Sequence, residues 1–454
     1  YRVLRSCGRP VRGYSGNFDH DSFAVSRIDE FWSHSWHGQV WRKFLTMLVL
    51  KNGPCAICLG YVAAMIVTCL FLMGLFPGYE RAPFLQTGVT TYLFGPWALS
   101  AGTLACVVMS LAWRNTTAVF FDVICINQED KAQKLEALLN MGAFLKHSDS
   151  LRVFWDESYM IRTWCVFELA AFIQSHRTEE GAGSVLITPT FLGLLSVFGF
   201  LGSFVAEFGF LCISFDSITI GYAWFVGSVL LGAFAALHLL RKHFHSLETL
   251  MVQISNFKLQ DTKAHCCTVD HKMHGKGIMC DREIIVQCIL LWFGSIPAFE
   301  EAIQTKVLMV LSRQLGSSFS YVWLLLVTTP IHWGNVDQVS ARLRAGDWYG
   351  AATTGMVNLS LSLFVVPLIV RWMVALAFFL HRPWPSWADY LKTLLVFLST
   401  LPLCTGLLAT QTFLTRLLDP LTGSCIWGLL CLLVTTLVWW SFRFTLLVHP
   451  QASK

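Results

Sequence analysis

Apolar residues along this chain follow two kinds of pattern. The first is a set of long unbroken runs at residues 55–76, 92–113, 191–213, 218–240, 356–380, 394–414 and 426–447, each long enough to span a hydrocarbon core. A further run at 321–327 is cut short by Pro330 and His332, so the pattern predicts seven or eight spans. The second kind is shorter and mixed. Residues 28–38 predict a strand and loop, and 39–50 a short helix. Residues 118–126 carry β-branched and aromatic side chains on both faces, as a strand central in a parallel sheet does. Ala132, Leu135, Leu138, Leu139 and Leu145 then recur at helical spacing, with Asn127 as the expected cap and Glu129 and Asp130 opposing the helix dipole. Residues 151–155 alternate as another strand, Thr163 is expected to cap a helix starting at Trp164, and 184–188 predict a fourth strand. Strand–helix–strand–helix in this order predicts an α/β unit with a parallel sheet.

The two patterns interleave. They divide the chain into a loose tail (1–27), a first α/β segment (28–50), a transmembrane hairpin (51–113), a second α/β segment (114–190) and two further spans (191–240). A polar region (241–318) and a C-terminal membrane region (319–454) follow. A hairpin returns the chain to the side it left, so the α/β domain can close around its own insertion. Residues 281–315 predict two amphipathic helices broken around Gly294 and Pro297. Arg241 and Lys242 follow the fourth span, and the positive-inside rule then places the α/β domain in the cytoplasm.

Composition agrees with the runs. The 454 residues are 55% hydrophobic with 18 Trp and 35 Phe, and only 13% are charged, against about 25% in soluble domains. Mean hydropathy is +0.56. These values predict an integral, multi-pass membrane protein whose first partner is the lipid bilayer. The net charge of +5 is scattered, which argues against a nucleic-acid partner. Fifteen cysteines lie mostly in apolar or α/β segments and are expected as reduced thiols. A sequence beginning at Tyr1 is expected to be trimmed, and no signal-peptide pattern is visible in it.

Three phrases carry a family likeness. YMIRTWCVFEL (159–169) resembles the Y-x-x-S-x-W-C-x-x-E-L signature of TIR domains, with Thr163 one residue later than the family's serine. FFDVICINQED (120–130) resembles the W-I-D-x-x-C-I-N-Q phrase of TIR-like and fungal heterokaryon-incompatibility domains. IDEFWSHSWHG (28–38) is similar to the opening TIR strand and loop. The likeness implies a flavodoxin-like α/β fold, truncated here because the closing helix, strand and helix have no counterpart. It also implies two roles, self-association of TIR-like domains in signalling and cleavage of NAD. In TIR domains that cleave NAD, the glutamate of the W-C-x-x-E-L phrase is the catalytic acid, and Glu168 occupies that position. Glu168 is expected as a partly exposed carboxylate, with Ser33, His34, Trp36 and Trp164 bordering the substrate. Its other reading is support of the fold or of an interface. Asp122 is expected inside a strand, with a structural role.

Other chemistry lies outside that likeness. Cys266, Cys267, His271 and Cys280 supply enough nitrogen and sulfur for zinc, with His265 and His274 close in sequence, although adjacent cysteines match no standard pair. The competing reading is a polar loop of free thiols. Glu207 and Arg371 interrupt apolar runs; such groups serve either buried packing or a pathway for ions or solutes. The latter underlies an alternative function, a transporter or channel with a regulatory TIR-like domain.

Overall fold

The computed structural model describes residues 22–35, 39–81, 91–126, 130–176, 185–212, 218–268, 271–273, 276–277, 280–310, 321–385 and 387–448. The expected tail up to residue 21, Trp36, Asn127 and Glu129 lie outside them. The chain is mostly helical, with a small parallel sheet and several apolar helices. It forms two compact units. One comprises Tyr1–Met47, Asn115–Gly193 and Ser246–Ser318; the other comprises Leu48–Arg114, Leu194–His245 and Phe319–Lys454.

The first unit is built on four parallel strands, β1 (Ile28–His34), β2 (Val119–Phe120), β3 (Ser148–Trp155) and β4 (Val185–Pro189), in the order 2-1-3-4. That is the order of a flavodoxin-like doubly wound sheet through its first four strands. Central β1 pairs with β3 from Ile28↔Ser148 to His34↔Phe154 and with β2 at Phe31↔Phe120. The Phe31 and Phe120 rings stack at 4.7 Å, and Arg152 holds both Glu30 carboxylate oxygens at 3.1 Å across the ladder. Strand β3 starts earlier than its alternation predicts. It ends in Val153, Phe154 and Trp155, all buried, so Phe154 does not face outward: both faces of an inner parallel strand are covered.

Strand β2 is far shorter than the apolar run at 118–126. The chain leaves the sheet at Phe121, and Asp122–Cys125 form a helical turn. The strand also lies at the edge of the described sheet rather than in its middle, and Asp122 falls in the first turn of the helix, where a negative charge suits the helix dipole. Asp122 is therefore a turn residue, not a strand residue. Asp130 caps the next helix, its Oδ1 accepting from the Ala132 N–H at 2.8 Å. The expected single helix is two. With α1 denoting Val40–Leu72, these are α2 (Lys131–Leu139) and α3 (Met141–Lys146), separated by Asn140. Helix α4 (Thr163–Ser175) begins at Thr163 itself, which is buried and not its cap.

Residues Cys165 to Phe172 of α4 are all buried, so the helix needs cover all round. Part of it comes from α5 (Asp281–Phe293) and the turn Ile303–Val307 that follows α6 (Ile296–Ala302). The break between α5 and α6 falls where it is expected. Gly294 takes φ +79° at the end of α5, Ser295 accepts from the Ala298 N–H at 3.3 Å, and Pro297 occupies the first turn of α6.

Among the described residues, five helices are long and apolar enough to cross a membrane: Val40–Leu72, Leu192–Leu211, Trp348–Phe379, Ala388–Leu417 and Pro420–Ser441. They match five of the predicted spans. The run at 92–113 differs, because Tyr92–Phe94 pair as a strand with Tyr79–Arg81 and the helix Trp97–Ala112 has 16 residues. The run at 218–240 lies within the 38-residue helix Ile218–Ser255. Pro330 does not end structure; it opens the helix Thr329–Arg344 at its first turn, where a missing N–H costs nothing. Asp337 of that helix accepts from the Ala98 and Leu99 N–H groups at 2.7 and 2.9 Å, capping Trp97–Ala112.

Trp333 of the same helix is fully buried among Ala56, Ala64, Ala98, Leu99 and Cys106. It fits because Gly60 and Gly102 carry no side chain: an added Cβ would lie 2.7 Å and 2.6 Å from the indole. Of the two basic residues that follow the fourth predicted span, Arg241 does not face solvent. It is buried, with Nη2 2.7 Å from Asp389 Oδ1 and Nε donating to the Leu380 carbonyl, and only Lys242 is exposed.

Gly102→Val is expected to destabilise the protein by about 1–3 kcal/mol through overpacking against Trp333. Gly53→Ala, whose new methyl would have its nearest neighbour at 3.8 Å, serves as the control. Thermal unfolding in detergent is the measurement, and equal melting of both variants would refute this packing.

Candidate functional site

Ligands of open parallel sheets bind beyond the carboxyl ends of the strands, where neighbouring connections diverge. In the order 2-1-3-4 that place is the end of β1 beside the end of β3. Ser33 and His34 close β1, and Asp156, Ser158 and Tyr159 follow β3. Helix α4 then delivers Glu168 to the same point.

Ser33 Oγ lies 2.5 Å from Glu168 Oε2 and 2.6 Å from Tyr159 Oη, and Tyr159 Oη donates to the Cys165 carbonyl at 3.0 Å. All three side chains are buried; Glu168 is 7% exposed, so it is not the partly exposed carboxylate expected from sequence. The Ser33 hydroxyl donates to Glu168 and the Tyr159 hydroxyl to the Cys165 carbonyl, so Glu168 is held as an acceptor. Burial pushes the Glu168 pKa up to about 8, opposed by the Ser33 hydrogen bond and reinforced by the Asp122 charge. At neutral pH the group is thus mainly a neutral acid. Burial also pushes the Tyr159 hydroxyl and the Cys165 thiol well up, so neither is a nucleophile here.

The other predicted residues are placed differently. His34 is buried and its ring stacks on Phe121 at 4.8 Å; burial lowers its pKa to about 4, which keeps the imidazole neutral. Trp164 is half-buried, with its ring 5.9 Å from that of Phe167. Ser33 and Glu168 are brought together, while Trp36 falls outside the described residues.

Sequence reasoning missed two features. Tyr159 is the link between Ser33 and the α4 backbone; its signal was the first position of the YMIRTWCVFEL phrase. The second is the ion pair between Lys43 Nζ and Asp156 Oδ2 at 3.5 Å, with Lys43 also donating to the Ser35 carbonyl and Ser158 Oγ to Ser35 Oγ at 2.7 Å. Its signal was an aspartate directly after a buried strand. Together these groups lock the β1 loop to the β3 loop.

Three further sequence-read sites lie elsewhere. Glu207 is buried and its Oε1 accepts from Gln338 Nε2 at 3.2 Å. Arg371 is buried with its guanidinium 5.0 Å over the Trp439 ring. Each thus has its own partner in the helical unit. Cys266, Cys267, His271 and Cys280 converge, their ligand atoms all within 4.8 Å of one another.

Comparison with known proteins adds no relative: no family model, curated protein or solved structure matches the chain.

The folded state holds the Glu168 proton more tightly than the unfolded chain does. Its contribution to stability is complete below about pH 4.5, falls by about 1.4 kcal/mol per pH unit as pH rises, and is lost above about pH 8. Glu168→Gln keeps an acceptor at this position without titrating. Its stability relative to wild type is therefore expected to rise steadily from pH 5 to pH 8 in denaturant titrations. A pH-independent difference would show that Glu168 is ionised throughout.

Proposed function

We propose that this is a multi-pass membrane protein carrying a TIR-like signalling module that acts by self-association on the cytoplasmic side. The observation that carries this reading is the meeting of Ser33, Tyr159 and Glu168 at the β1/β3 carboxyl ends of a sheet ordered 2-1-3-4. Each residue comes from a phrase that resembles TIR domains, and the phrases are far apart in sequence. The buried, hydrogen-bonded and neutral state of Glu168 favours assembly over chemistry in this conformation.

The topology follows from the chain's returns. Tyr1–Met47, Asn115–Gly193 and Ser246–Ser318 belong to one compact unit, and for that unit to lie on one side of the bilayer the segments between them must cross it an even number of times. This reading requires the 16-residue helix Trp97–Ala112, which covers about 24 Å of the roughly 30 Å core, to serve as one of those crossings. Lys146, exposed at the end of α3, reports the side. Lys146→Cys is expected to react with an impermeant maleimide only after the cells are permeabilised. Labelling in intact cells would place the module outside.

NAD cleavage is the second reading, favoured by the direct Ser33–Glu168 contact at the ligand end of the sheet. Breaking the nicotinamide–ribose bond develops positive charge on the sugar, which an ionised carboxylate stabilises and a neutral one does not. Turnover would therefore rise with pH through an apparent pKa near 8 and vanish in Glu168→Gln. For the assembly reading, purified protein in detergent is expected to form concentration-dependent oligomers by light scattering and to release no nicotinamide from NAD at neutral pH. A strictly monomeric protein with pH-dependent turnover would replace the first reading by the second.

A further inference from the structure

Residues 266–280 are absorbed by neither reading. The chain enters them through Lys263, whose N–H donates to the Ile161 carbonyl at 2.7 Å, and Thr262, whose Oγ1 lies 2.9 Å from Thr163 Oγ1. It then makes a helical turn, His265–Thr268, and reverses at His271, whose φ of +57° is left-handed. A two-residue ladder, Lys272↔Gly277 and Met273↔Lys276, brings it back to Cys280 at the start of α5.

The ligand atoms have the spacing of a coordination sphere. Cys266 Sγ–Cys267 Sγ is 3.8 Å, Cys267 Sγ–Cys280 Sγ is 4.0 Å and Cys267 Sγ–His271 Nε2 is 3.8 Å. A tetrahedron with Zn–S near 2.3 Å and Zn–N near 2.05 Å has edges of about 3.8 Å between sulfurs and about 3.6 Å between sulfur and nitrogen. Disulfides need sulfurs roughly 2 Å apart, and all three cysteines are free thiols. The surroundings suit anionic sulfur. The Asp281 N–H donates to Cys266 Sγ at 3.2 Å, and Cys280 occupies the N-cap of the thirteen-residue α5, facing the positive end of its dipole.

We propose that Cys266, Cys267, His271 and Cys280 bind one structural zinc ion as a closed three-thiolate, one-imidazole site that braces the start of the helix carrying Glu168. Three thiolates and a neutral imidazole fill four positions, so no site is left for substrate or water. The brace runs through protein. Arg282, two residues after Cys280, donates to the Thr262 and Leu259 carbonyls at 2.7 and 3.0 Å. Thr262 and Lys263 in turn contact Thr163 and Ile161, where α4 begins. The site stands whether or not the unit is TIR-like, because it uses none of those phrases.

The experiment is elemental analysis of the full chain, purified in detergent without chelator from zinc-supplemented cells. About one zinc per chain is expected, with Cys267→Ser and Cys280→Ser each retaining less than about a tenth of it. Cys288→Ser, which removes a buried thiol of α5 outside the cluster, should keep full zinc. Cobalt exchanged into wild type should give the visible bands of a tetrahedral thiolate site. Less than about a tenth of a zinc per folded wild-type chain, with no such bands, overturns the site whatever the variants do. Zinc content unchanged in both ligand variants overturns the ligand assignment. Hydrogen exchange of residues 159–168 tests the brace: faster exchange after zinc removal supports it, and unchanged exchange refutes it.

Discussion

Parallel pairing of β1 with β3 is the constraint on which the first unit depends. Seven residues near the start of the chain lie in register with a strand more than a hundred residues later, and β2 pairs on the other edge of β1. Everything inserted between β1 and β2 must leave and return to the same sheet. An insertion that enters a bilayer can do so only by crossing it an even number of times, since an odd number would leave the chain on the far side. The split of the α/β segments around a pair of apolar runs is therefore a consequence of the sheet.

The same sheet decides where chemistry collects. Its order puts the ends of β1 and β3 side by side, and each end contributes polar groups that are otherwise costly to bury: Ser33, Lys43 through the Ser35 carbonyl, Asp156 and Tyr159. Glu168 joins them from α4 at the cost of its charge at neutral pH. The buried acid accepts from Ser33, whose hydroxyl lies against that of Tyr159. A ligand that entered would have to replace those hydrogen bonds. That makes the site a lock between two loops as it stands, and links any catalytic use of it to ionisation or movement of Glu168.

The helical unit solves a related problem with small residues and buried polar pairs. Trp333 fills the space left by Gly60 and Gly102, Asp337 caps a short helix, and Arg241 is neutralised by Asp389. Glu207 and Arg371, which the sequence marks as either packing or pathway residues, each have a packing partner.

Periodicity alone determined the elements that depend on local sequence. Long apolar runs became helices because a helix satisfies its own backbone, and the break at Gly294–Pro297 followed from two residues whose backbone preferences are intrinsic. The phrases around Ser33, Tyr159 and Glu168 lie in segments that the fold brings together, and the sequence from Cys266 to Cys280 is rich in groups able to ligate a metal. What depended on distant partners was settled only by the tertiary structure. Strand β2 stops after two residues and lies at the edge of the described sheet, which an apolar run by itself does not reveal. Burial of Glu168 and Arg241 could not be seen in a linear pattern, since the cover comes from residues more than a hundred positions away. Convergence of the four ligand atoms likewise rests on a left-handed turn at His271 and a hairpin return. Local sequence encodes what a segment prefers, and only packing determines which groups lose water together.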